Sequence, residues 1–345
     1  METLFGIDYP TWWFLVVGAL FSGYAILDGF DFGAGAFHLF FKKEESRRIA
    51  LNAVGPVWDG NEVWLVIGGG ALFAGFPVVY ATLFSAMYVP FMLFLLFIIF
   101  RAISIEFRSK EPMRWWRQMW DVSYSISSIM LAFLLGVVLG NVLQGIAIGP
   151  DYVYQGAGFF EFLNLYSILV GLTSLTLFMS HGAIYLLLKT EGKLYKQLLE
   201  LQKYAMIFFI VTFSITTLYT LLYIPHLSDD FRSNQILFLL PVLAFLSIAN
   251  LPRLASQRKF LQAFIFSSLT ISFLLILSAI ELYPNILLST VDPAYNIDVY
   301  NAASSQKTLE IMMTIVAIGA PLVAGYTIFV YKTFSGKVKL DEASY

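Results

Sequence analysis

The sequence predicts an all-α, polytopic membrane protein of about nine transmembrane helices with its N-terminus outside, and three observations predict it. Of the 345 residues, 59% are hydrophobic and only 13% are charged, about half the charge of an ordinary soluble domain. Apolar runs long enough to cross a roughly 30 Å hydrocarbon core, about 20 residues each, recur nine times. With the N-terminus outside, all 21 basic residues except Arg232 and Lys307 fall on the inner side, which is the asymmetry of cytoplasmic loops.

The runs lie near residues 12–41, 52–75, 77–105, 118–140, 161–188, 204–224, 235–251, 261–283 and 309–331. Before the first, "METLFGIDYP" has acids and no Lys or Arg, so it lacks the basic start of a cleaved signal and the segment is expected to be retained. The inner loops hold Lys42 to Arg48, Arg101 to Arg117, Lys189 to Lys203, Arg253 to Lys259 and Lys332 to Lys339. "RWWRQMW" at Arg114 to Trp120 mixes Trp with Arg as membrane interfaces do. "GAGAFHLFFKKE" closes the first run and "SHGAIYLLLKTEG" the fifth. This echo suggests a first four-helix unit within 1–140, a second within 161–283 and a final helix at 309–331. No soluble domain is visible, and "PNILLSTVDPAYNIDVYNAASSQK" reads as an external loop rich in turn residues.

The chain has no cysteine, which excludes disulfides, thiolate metal sites and cysteine nucleophiles. His38, His181 and His226 fall at different depths, so no paired histidine haem site is expected, though ligation by His with Met stays open, and no metal site is assigned. "GGG" at Gly68 to Gly70 reads as close helix packing, not a nucleotide loop, and no nucleic-acid partner is expected.

Ionisable residues inside apolar spans are costly and point to function. In "ILDGFDFGAGAFH", Asp28, Asp31, Gly35 and His38 share one helical face, a polar track whose competing explanation is that the glycines admit another helix. In "GPVWDGNEVWL", Asp59 and Glu62 are likewise three apart, with Pro56 placed in the first helical turn. Asp31 stands 11 residues before Lys42 and Asp59 stands 11 after Arg48, so an antiparallel pair would set them opposite each other, with Asp28 opposite Glu62. Four acids on adjacent helices cannot all keep their charge in a low-dielectric setting, so protons should be shared. Arg101 is a possible charge partner, or it snorkels to the interface.

"GFDFG" (29–33), "GPVWDGNEVWL" (55–65), "GGALFAGFPVVYA" (69–81), "EFRSK" (106–110), "GNVLQG" (140–145) and "ASSQKTL" (303–309) together resemble the cytochrome bd quinol oxidase subunit II family, over essentially the whole chain. The resemblance implies a bacterial inner-membrane heterodimer. Its subunit I would hold two haems b and haem d, oxidise quinol near the outer face and reduce oxygen, while this chain binds no haem. It further implies that acids matching Asp31 and Asp59 help conduct protons from the cytoplasm. Some members hold a structural quinone or a small single-helix accessory subunit. A proton- or sodium-coupled secondary transporter is the rival class, since intramembrane acids and broken helices mark it too; a pure scaffold is the third.

Overall fold

The computed structural model describes residues 3–228 and 236–340. Arg232, and residue 235 at the start of the seventh run, lie outside the described residues. Helix α1 (Tyr9–Ala36) begins where the Asp8 carboxylate accepts from Thr11 N at 2.9 Å, with Pro10 in the first turn, where its missing N–H costs no helical bond. A 3-10 turn over His38–Phe40 completes the first crossing. The chain then forms α2 (Glu44–Val54), α3 (Trp58–Gly75), α4 (Pro77–Ala86), α5 (Tyr88–Phe107), α6 (Arg114–Gln144), α7 (Leu165–Lys189), α8 (Gly192–Tyr223), α9 (Leu239–Ser256), α10 (Phe260–Leu282) and α11 (Gln306–Thr333).

Among the described residues eight helices are long and apolar enough to cross a bilayer, and α3 with α4, bent by 118°, makes up to nine. The protein is a helical, multi-pass membrane protein. The sixth run, expected near 204–224, is a helix from Gly192, because its first turns carry Lys193, Lys196 and Lys203 and hydropathy reads them as loop. Two other runs are broken where one helix was expected, and a proline explains each. The second run is not helical from 52 to 75. Pro56 has no N–H to donate back to Asn52, so α2 ends at Val54, and the proline sits in the turn before α3 rather than in its first turn. The third run is not one helix from 77 to 105. Phe76, between the second and third runs, precedes Pro77 and leaves the helical region (φ −134°, ψ 68°); within the third run the break is at Met87 (φ −97°, ψ 33°), where Pro90 has no N–H to donate back to Ala86, so the short α4 ends and the crossing helix α5 begins.

Helix α1 is the hub and touches α3, α6, α7, α10 and α11. Every residue from Asp28 to Ala36 is buried. The echoed motifs meet at its crossing with α7. A Cβ on Gly33 would lie 2.9 Å from Gly182 Cα, and one on Gly182 would lie 2.5 Å from Ala34 N, so the two backbones approach as only small residues permit.

The loops sort to opposite ends. At one end, Ile146 N donates to Leu288 O at 2.9 Å and Thr290 N to Ile146 O at 3.0 Å. The external stretch there is ordered, with β3 (Asn285–Leu287) paired to β4 (Ile297–Asp298). Trp13 Nε1 donates to Leu309 O at 3.0 Å and ties α11 to the start of α1. At the other end the basic segments interlock: Lys337 Nζ donates to Leu187 O and Thr190 O, and Gln197 Nε2 donates to Phe40 O.

Candidate functional site

Within the bundle, Asp28 on α1 accepts from Arg101 on α5, from Nη1 at 3.0 Å and from Nη2 at 2.5 Å. Neither side chain is more than 1% exposed, and the guanidinium lies 4.6 Å from the Phe32 ring centre. The buried arginine is therefore a partner of Asp28 and does not snorkel to the surface.

One turn along α1, Asp31 Oδ2 accepts from Asn61 Nδ2 at 2.7 Å. The same amide donates to Leu27 O at 3.1 Å, and Tyr331 OH on α11 donates to Asn61 Oδ1 at 2.9 Å. Tyr331 therefore fixes which way the amide points. Among the described residues, the other oxygen of Asp31, Oδ1, is buried with no hydrogen-bond partner, whereas both oxygens of Asp28 are engaged by Arg101.

Asp59 does not lie opposite Asp31 as the antiparallel register predicts. The inward stripe of α3 is Asn61, Gly68, Leu72 and Gly75, all buried, and Asp59 falls on the opposite stripe with exposed Val63, Val66 and Phe73. The inward stripe follows the small and compact residues that let α3 pack on α1, which sets Asn61, not Asp59, against Asp31. Glu62 is half-buried between the two stripes, within electrostatic reach of Arg101, Asp28 and Asp59.

The proposed polar track of α1 is divided among three neighbours. Asp28 goes to α5 and Asp31 to α3, while Gly35 and His38 face α6, where Gly35 abuts Ser128 and His38 Nε2 donates to Asp121 Oδ1 at 2.5 Å. Asp121 is the centre of a second cluster. It also accepts from Arg47 Nη1 at 2.8 Å and from Arg108 Nε at 2.6 Å, and Arg108 reaches on to Glu44 at 2.9 Å. This knot ties α1, α2, α5 and α6 together at the basic end.

Comparison with known proteins decides the family. Residues 9–334 match the family described as cytochrome bd terminal oxidase subunit II. The chain belongs to that family. It is 31% identical to cytochrome bd-I ubiquinol oxidase subunit 2 of Escherichia coli K12, with 97% of each chain covered. It is 32% identical to cytochrome bd ubiquinol oxidase subunit 2 of Bacillus subtilis 168, covering 96% of this chain and 97% of that one. In fold it is similar to a chain of the bd oxidase from Geobacillus thermodenitrificans, with a TM-score of 0.78 and 20% identity over 94% of this chain and 98% of that one.

The chain's own histidines do not pair to ligate a haem. His181 is engaged at both ring nitrogens, Nδ1 with Ser267 Oγ at 2.6 Å and Nε2 with Ile26 O at 3.0 Å. His38 is held by Asp121, and His226 Nε2 donates to Leu143 O at 3.1 Å. Among the described residues His38 keeps Nδ1 unpartnered but sits at the basic end, His226 lies at the opposite end, and His181 has both nitrogens engaged, so no two of the three face one site and they do not form an axial pair. Sequence reasoning missed Asn61, Tyr331 and Asp121. Only Asp121 had a clear signal, an acid at the head of an apolar span beside several arginines.

Proposed function

We propose that this chain is the haem-free subunit of a cytochrome bd-type quinol:oxygen oxidoreductase of the bacterial inner membrane. It pairs with a haem-bearing subunit I and helps bring cytoplasmic protons to the site of oxygen reduction. The observation behind the proton role is Asp59, an acid exposed at the head of an otherwise apolar stripe on a membrane helix. A charge facing lipid is unfavourable, increasingly so toward the bilayer centre; a partner subunit seated on that stripe would replace the lipid with polar groups.

Helix α11 supports the same docking face. It packs only on α1 and α3 in quantity, and of its described residues only Leu309 is buried. The haems of subunit I would supply the oxygen chemistry. In this chain, Asp59 takes protons at the basic end, and Glu62 stands one turn deeper, about 4.5 Å along the axis. Asp31 offers an unengaged oxygen, oriented through Asn61 by Tyr331. Asp28 and Arg101 act as a fixed pair that shapes the local field. The division into units within 1–140 and 161–283 plus a final helix is proposed on the meeting of the echoed motifs at Gly33 and Gly182.

Purification of a tagged chain with and without its companion tests this function. Alone, the chain should show no haem absorbance. With the companion it should yield a haem-bearing complex that consumes oxygen when given quinol. Stoichiometric haem on the chain alone, or ion-coupled solute uptake by the chain alone in liposomes, would contradict it.

A further inference from the structure

The turn between α9 and α10 carries two clefts that the oxidase function leaves unused. The first, of about 330 Å³, is walled by Arg253 and Gln257 from α9 and by Lys259 and Gln262 from α10. The second, of about 530 Å³, shares Lys259 and Gln262 and adds Arg258 and Lys337. Neither lining contains a carboxylate. Among the described residues Arg253, Arg258 and Lys259 have no acidic partner, whereas Arg47, Arg101, Arg108 and Arg117 are all paired. The turn is fixed by hydrogen bonds from Arg258 N to Ala255 O and from Lys259 N to Leu254 O, both 3.0 Å. The basic groups are thus presented from an ordered backbone, together with neutral amide donors.

We propose that these paired clefts bind the headgroup of an anionic phospholipid, with the phosphodiester held by Arg253 and Lys259. The occupant is a lipid and not a soluble anion because of what lies beyond the charges. Leu254, Ile265 and Phe266 line the first cleft. Below it, Leu261, Ile265 and Leu269 form an exposed stripe at four-residue spacing along α10, roughly 12 Å of apolar wall against which an acyl chain lies. Charge at the mouth and hydrocarbon beneath is the chemistry of a lipid at the membrane boundary. Because Lys259 borders both clefts, a headgroup with two phosphodiesters joined through glycerol fills them together.

The test is native mass spectrometry of the assembled complex titrated with diphosphatidylglycerol, phosphatidylglycerol and phosphatidylcholine. The order of retention should follow net headgroup charge, with zwitterionic phosphatidylcholine weakest. Arg253→Gln/Lys259→Gln should weaken retention of the two-phosphate lipid roughly 30-fold, the effect of two basic residues at a membrane surface, with subunit and haem content unchanged. Gln262→Glu, which puts a carboxylate into both clefts, should release it as well. Lys193→Gln/Lys196→Gln, on another basic segment, should change nothing. Equal retention by the Arg253/Lys259 variant, or equal binding of phosphatidylcholine, would overturn the proposal. Binding of glycerol phosphate as tight as that of the lipid would also overturn it, by showing a soluble-anion site.

Discussion

At the residue scale the structure separates acids that look alike in the sequence. Asp28 and Arg101 are a buried ion pair, so Asp28→Asn strands a charge, and a loss of roughly 3–5 kcal/mol is expected. It should appear as a lower thermal-inactivation temperature of the purified complex. Asp28→Leu/Arg101→Met should recover most of that loss; a double variant as unstable as the two single losses added together would show that the pair is not the unit. Asp31 differs, because among the described residues its only side-chain donor is Asn61. Asn61→Leu removes that donor and leaves Tyr331 OH without its acceptor, so both stability and turnover should fall. Tyr331→Phe should disturb turnover more than stability, since it frees the amide without emptying the site. The charged residues were legible in the sequence because they interrupt apolar runs. Asn61 was not, since a neutral amide between Asp59 and Glu62 has no charge to draw notice, and only the packing of Gly68, Leu72 and Gly75 reveals that its face points inward.

At the element scale the crossing of α1 and α7 is set by Gly33 and Gly182, where added atoms would meet backbone. Gly182→Val is expected to cost at least about 1–3 kcal/mol by overpacking, measured as lost thermal stability or failed assembly. Gly18→Ala, at a position of α1 with open space, should be neutral or stabilising by a few tenths of a kcal/mol up to about 1 kcal/mol, because alanine favours the helix. The reverse ranking would mean that the crossing is not a tight backbone contact. Span lengths were readable from hydropathy, and most runs match helices within a few residues. The bend at Phe76 and the break at Gly55 were not, because hydropathy records transfer from water and is blind to backbone direction. Pro56 and Pro77 held that information, through a missing N–H and a restricted preceding residue.

At the scale of the whole molecule, the basic segments gather at one end and the 145–164 and 284–305 stretches at the other, an arrangement legible in the sequence because charge placement governs insertion. Cysteines placed after Asn141 and Pro284 should be labelled from the outside of intact cells, and cysteines beside Lys193 only after permeabilisation; the opposite pattern would invert the topology. The proposed partner-facing surface was not legible, since an exposed apolar stripe and a lipid-facing one have the same composition. Only the outward rotation of Asp59 and the bareness of α11 distinguish it. The proposed proton role rests on Asp59, and the most direct measurement is quinol-driven oxygen consumption by the purified Asp59→Asn complex across pH 6 to 9, set against its haem content. An amide keeps the shape and most hydrogen bonds but cannot cycle a proton, so full assembly, full haem content and turnover reduced by about tenfold or more are expected. Full haem content with unreduced oxygen consumption over that range would contradict a proton route through Asp59.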